Sequence, residues 1–217
     1  MNKLIFSIAV FFTSVFAASA QDWANFGRYE KANAEVTARP KAVFMGDSLT
    51  DGWASTDNAF FADNNFIGRG ISGQTTSHML VRFRRDVVDH APEYVVILAG
   101  TNDIAKNNGD ISHENTLGNI ISMCEIARYN DIIPIICSVL PADSFWWRPG
   151  IAPAKDIVSL NKLLKEYADR ENIIYVDYYS AMADENGAMV ATYADDGVHP
   201  NMNGYKVMES IVLEVLK

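Results

Sequence analysis

Cysteine is scarce: Cys124 and Cys137 are the only two in 217 residues, too few for a disulfide framework. Both fall in apolar patterns and read as buried free thiols, even in a compartment that permits a bridge. Past residue 20 no run is apolar enough to cross a bilayer. There is no repeat, low-complexity tract or linker that would split the chain. Basic charge is also short, with 18 Lys and Arg against 27 Asp and Glu and a formal charge of −9. That balance argues against nucleic acid or an anionic membrane surface as partner. The one basic cluster, Arg82, Arg84 and Arg85, reads as a solvated helix face. Of four histidines, His78, His90 and His113 fall on helix faces or ends, and none stands at metal-ligand spacing. No metal and no cofactor is therefore expected. Gly-x-Ser-x-Gly, the α/β-hydrolase elbow, is missing too.

The first twenty residues are distinct from the rest. Asn2-Lys3 is followed by an almost wholly apolar stretch from Leu4 to Phe16, and then by Ala18-Ser19-Ala20. This is the pattern of a secretory signal peptide cleaved near Ala20, which makes 21–217 one exported domain, periplasmic or secreted. No cysteine follows the cleavage site, so a bacterial lipid anchor is not indicated. Lys3 is the one charged residue removed, which takes the formal charge from −9 to −10.

Hydrophobic patterning then alternates between two periods. Residues 22–36, with Trp23, Phe26 and Tyr29 among charged neighbours, suggest a lead-in amphipathic helix closed before Pro40. Apolar runs near 41–45, 65–69, 94–99, 132–139 and 173–176 are short and continuous, as in strands buried on both faces. Helical spacing fills the intervals: Met79, Leu80, Phe83 and Val87; Leu117, Ile120, Ile121 and Cys124; Ile157, Leu160, Leu163, Leu164 and Tyr167. A final helix carries Tyr205, Met208, Ile211, Val212 and Val215. Alternation of this kind predicts a three-layer α/β/α sandwich around a five-stranded parallel sheet.

Three Gly-bearing loops follow strand ends: Gly46-Asp47-Ser48, Gly70-Ile71-Ser72-Gly73 and Gly100-Thr101-Asn102-Asp103. Ligands in open α/β sheets bind at that edge, so these loops should be neighbours. Asp196-Gly197-Val198-His199 lies just before the last helix, on a long segment able to reach the same edge. The set supplies what acyl transfer needs. A serine hydroxyl requires a base to take its proton, and a histidine base requires a carboxylate to fix its tautomer. The developing oxyanion requires donors, for which the amides of Ser48 and Gly73 and the Asn102 side chain are candidates. Asp47 and Asp103 read as loop-holding residues. Gly68-Arg69-Gly70-Ile71-Ser72-Gly73 also matches the dinucleotide fingerprint, but the next strand ends in Ala99-Gly100 rather than an acidic residue.

These four blocks, in this order, strongly resemble the SGNH (GDSL-type) hydrolase family, over residues 41 to the C-terminus. The resemblance implies a flavodoxin-like fold, Ser48 as nucleophile, His199 as base and Asp196 as its orienter, with Asp195 a less favoured substitute. It also implies an oxyanion hole of Ser48, Gly73 and Asn102. Trp53, Trp146, Trp147 and Arg148 are read as substrate-binding residues, since aromatic faces with an arginine suit sugar rings or an anionic group. Export, acidity and the absence of an apolar lid point to short acyl esters, especially acetyl groups on carbohydrate. The alternatives are a lysophospholipase or ether-phospholipid acetylhydrolase, and a non-catalytic binding protein on the same fold. The partner is then a small-molecule or glycan ester, with no stable membrane insertion. The oligomeric state is not legible.

Overall fold

The computed structural model describes residues 22–216, so the signal-peptide reading lies outside the described residues. Five strands, β1 (Ala42–Gly46), β2 (Phe66–Gly70), β3 (Tyr94–Leu98), β4 (Ile133–Cys137) and β5 (Ile174–Val176), form one parallel sheet. Its order is β2-β1-β3-β4-β5. The chain leaves β1 to one side for β2 and returns on the other for β3, so their carboxyl ends flank a topological switch point. The helices are α1 (Glu30–Ala34), α2 (Ser48–Thr56), α3 (Asn58–Asp63), α4 (Thr76–Asp86), α5 (Thr101–Ile104), α6 (His113–Tyr129), α7 (Ala154–Glu171), α8 (Tyr178–Met182) and α9 (Met202–Val215).

Burial explains why the strands read as unbroken apolar runs: every residue of β1 is buried, because helices cover both faces. On one face Phe44 meets Trp53, Phe60 and Phe61 edge-on, with ring centroids 5.4, 6.2 and 5.2 Å away. Gly68, level with Phe44 in the sheet, leaves room there for Ala54 and Phe61. The opposite face is left to α4, α6 and α7, whose buried Met79, Phe83, Ile120, Met123, Leu160 and Leu164 complete the core.

Three expectations need correction. The lead-in segment is not one amphipathic helix but a 3₁₀ turn, Phe26–Tyr29, followed by the five-residue α1, and neither buries a residue. With no apolar face to dock, a segment this short gains too little to propagate as a long helix. Arg82 is not on a solvated face: it is 0 % exposed, bonded to Asp86 at 2.8 Å, Gln74 Oε1 at 2.6 Å and the Gly46 carbonyl at 2.9 Å. Its neighbours Arg84 and Arg85 are exposed. Trp53 belongs to the core, at 1 % exposure, and is not a substrate contact. Cys124 and Cys137 are buried and unbridged, and burial pushes the Cys124 thiol up to about 12.

Candidate active site

Asp47 terminates β1 and caps α2, its Oδ1 accepting the Leu49 N–H at 3.0 Å. Ser48 is therefore the first residue of a nine-residue helix, its hydroxyl at the positive end of the helix dipole. The turn is tight because β2 crowds it. A Cβ on Gly70 would stand 2.2 Å from the Asp51 nitrogen and 2.6 Å from the Asp47 carbonyl, so only glycine fits. Two residues past Ile71, Gly73 takes φ +80° with open space around it, which turns the loop into the site. The dinucleotide-like glycines thus serve packing and turning.

His199 arrives from the far end of the chain. Its loop is closed by a bridge between Ala194 and Pro200 and by Asn201 N–H donating to the Tyr193 carbonyl at 2.8 Å. The helix that follows, α9, is clamped to α2. Tyr205 stacks on Trp53 at 5.6 Å and donates its hydroxyl to the Leu49 carbonyl at 3.0 Å, while Trp53 Nε1 donates to Glu209 at 3.3 Å. This clamp sets His199 Nε2 3.0 Å from Ser48 Oγ. On the other side of the ring, Nδ1 stands 2.7 Å from Asp196 Oδ2. A carboxylate only accepts, so Nδ1 carries the proton and Nε2 is free to accept from the serine. Asp196 Oδ1 also accepts the N–H groups of Val198 at 2.9 Å and His199 at 2.7 Å. Burial disfavours its charge, but the hydrogen bonds from His199 and Val198 outweigh this and hold its carboxyl below the ordinary 3.8. Asp195 faces away, accepting from Asn201 Nδ2 at 3.1 Å.

Asn102, in the first turn after β3, is 3 % exposed. Its Nδ2 donates to Asp47 Oδ2 and to the Gln74 carbonyl, both at 3.1 Å. Burial pushes the Asp47 carboxyl up to about 7, against the pull of the Leu49 N–H and His199. Asp103 holds the loop of β2 to that of β3, accepting from Thr76 N at 3.0 Å and Thr76 Oγ1 at 2.6 Å, and burial raises its carboxyl. Among the described residues, no three His, Cys, Asp or Glu side chains gather as for a metal ion.

These groups open on a cavity of about 250 Å³ lined by Ser48, Ser72, Gly73, Asn102, Asn107, Trp146, Trp147 and His199. Trp147 lies 5.9 Å from the His199 ring and Trp146, 70 % exposed, meets Trp147 edge-on at 5.6 Å to make the rim. Arg148 is exposed and not among these lining residues, its Nε 3.4 Å from Asn107 Oδ1 and a terminal nitrogen 3.3 Å from the Lys106 carbonyl. The structure thus gathers Ser48, Asp196, His199, Gly73, Asn102, Trp146 and Trp147 and leaves Trp53 in the core. Sequence reading missed Asn107 and Ser72. Asn107-Asn108-Gly109 looks like an ordinary turn, and no sequence signal sets its first asparagine apart.

Residues 44–207 match the model of the GDSL-like lipase/acylhydrolase family. A crystal structure of an acylhydrolase from Bacteroides fragilis is similar at 48 % identity and TM-score 0.88, over 90 % of this chain and 97 % of that one. A GDSL-like lipase from Bacteroides thetaiotaomicron is similar at 46 % identity and TM-score 0.86, over 89 % and 97 %. An N-acylneuraminate cytidylyltransferase of Escherichia coli is 29 % identical over 87 % of this chain and 43 % of its own length. The chain spans less than half the length of the curated relatives it matches.

Proposed function

Because the chain belongs to the GDSL-like lipase/acylhydrolase family, we propose that it is an exported serine esterase for short acyl esters, above all acetyl groups on carbohydrate. Ser48 Oγ passes its proton to His199 Nε2 and attacks the ester carbonyl. The carbonyl oxygen takes up the negative charge and meets the N–H groups of Ser48 and Gly73 and Asn102 Nδ2. A single such donor is worth roughly 3 kcal/mol in the transition state. Nδ2 already has two acceptors, so it serves the oxyanion by sharing a hydrogen with one of them. His199 then protonates the departing alcohol, and Asp196 stabilises the imidazolium between the two transfers. Water, deprotonated by His199, releases the acid and restores Ser48.

The observation that carries the substrate reading is the cavity: about 250 Å³, walled by two indoles and opening directly on Ser48. Pockets for drug-sized ligands measure roughly 300–1,000 Å³, and a cavity below that range is in keeping with a small acyl group. Trp146 at the rim offers an indole face for the apolar side of a sugar ring. Among the described residues no helix is long and apolar enough to cross a membrane. Export rests on residues 1–20 alone.

Two measurements test this. Rates on p-nitrophenyl esters should be highest for acetate and fall as the chain lengthens; a preference for long chains would overturn the acyl assignment. Acetate release from acetylated glycans, run beside a phospholipid, should favour the glycan; a phospholipid preference would move the protein to lipid substrates.

A further inference from the structure

We infer that Asn107 is a positioning residue for the oxyanion hole: together with the Gln74 carbonyl at the other end, it fixes which end of the Asn102 amide faces the reacting carbonyl. The inference rests on the reading of Asn102 as an oxyanion donor. An asparagine amide is nearly symmetrical in shape, and only its hydrogen-bond partners decide where the nitrogen goes. At Asn107 that decision comes from outside. Trp147 Nε1 stands 3.1 Å from one terminal atom of Asn107, with Arg148 Nε at 3.4 Å. Indole and guanidinium nitrogens only donate, so this atom is the oxygen. The Asn107 nitrogen therefore points the other way, where it stands 2.6 Å from Asn102 and 3.5 Å from the Gly73 carbonyl. A donor there obliges Asn102 to present its oxygen, which turns Nδ2 toward Asp47, Gln74 and the cavity.

Among the described residues, Asn107 Nδ2 is the one donor to Asn102 Oδ1. Asn102 is buried, so losing that donor leaves its side-chain oxygen without a protein partner. The Gln74 carbonyl, which only accepts, opposes a flip of the amide from the other end, so what Asn107 adds is the anchor on Oδ1 that holds Nδ2 in place. The backbone supports the arrangement, since Asn107 N–H donates to the Asn102 carbonyl at 3.0 Å and locks the separation of the two side chains. The chain of bonds also links the indole wall of the cavity to the donor that meets the oxyanion.

The test is a double-mutant cycle on Asn102→Ala and Asn107→Ala, with Asn107→Asp beside it, read as kcat and KM on p-nitrophenyl acetate with melting temperatures as control. Asn102→Ala should lower kcat about 100-fold, the ordinary cost of an oxyanion donor. Asn107→Ala should lower kcat about tenfold with KM within about twofold, and the double variant should be no slower than Asn102→Ala alone, because the two act as a unit. Asn107→Asp keeps both bonds to Trp147 and Arg148 but cannot donate to Asn102, so it should be at least as slow as Asn107→Ala. If Asn107 merely holds the tryptophan loop, Asn107→Asp will restore kcat. That result, wild-type kcat in Asn107→Ala, or losses that multiply in the double variant would overturn the inference. Wild-type kcat in Asn102→Ala would instead remove the oxyanion assignment beneath it.

Discussion

His199 Nε2 stands 3.0 Å from Ser48 Oγ although 151 positions of chain separate the two residues. The contact is held indirectly: α2 begins at Ser48, α9 begins three residues after His199, and Trp53, Tyr205 and Glu209 join the two helices. The distance between the two side chains is therefore set in the core, one helical turn behind the site.

Replacing Trp53 with alanine removes a buried indole, two stacked partners and the bond to Glu209. It should cost about 3–5 kcal/mol of stability in urea unfolding, with KM for the folded fraction unchanged. Trp146→Ala should do the reverse, raising KM for glycan esters at unchanged stability. A large KM effect from a conservative Trp53→Phe would restore Trp53 to the substrate site.

The two adjacent aspartates separate cleanly. Asp196→Asn should lower kcat by about 10³–10⁴-fold through loss of the correct His199 tautomer. Asp195→Asn, which touches only the Asn201 side of the loop, should stay within about twofold of wild type. Comparable losses in both variants would contradict the assignment of Asp196 as the orienting carboxylate.

Arg82 carries a buried charge beneath the serine turn. Arg82→Ala removes the donor to Asp86 Oδ2 and to Gln74 Oε1 and leaves the Gly46 carbonyl with the Ile71 N–H alone, and unfolding in urea should show a loss of about 3–5 kcal/mol. Arg84→Ala, on the exposed side of the same helix, should change little. Equal, small effects would show that Arg82 is not held as described.

Asp47 gives stability a pH slope. Its carboxyl is held at about 7 in the folded protein against an ordinary 3.8, so the folded chain binds a proton that the unfolded chain has already released. That contribution is fully present below 3.8 and is lost as pH rises through about 7. Asp47→Asn should remove it: measured between pH 4 and 8, the variant should gain on wild type as pH rises to 7 and then run parallel. A constant difference across that range would contradict the raised carboxyl.

What the sequence made legible was local. Gly46–Ser48, Gly100–Asp103 and Asp196–His199 each contain a local turn, with Asp47 accepting from Leu49, Gly100 from Ile104 and Asp196 from His199, so the residue types showed the turns and the family resemblance their roles. The strands were legible because burial on both faces leaves unbroken apolar runs. What failed was whatever depended on distant partners. Trp53 follows the serine motif so closely that only its stacking on Tyr205 reveals a core residue. Arg82 has the charge of a surface residue, and its burial rests on Gln74 and Asp86 meeting the strand end at Gly46. Asn107 sits in a turn-like run and gains its meaning from Trp147, 40 positions away.

The most direct measurement is peptide mass spectrometry of the folded protein after treatment with a fluorophosphonate. The account predicts one stoichiometric adduct on Ser48, loss of ester hydrolysis in step with labelling, and neither labelling nor turnover in a folded Ser48→Ala variant. Hydrolysis surviving in Ser48→Ala, or an adduct on another residue that tracks the loss of activity, would contradict it.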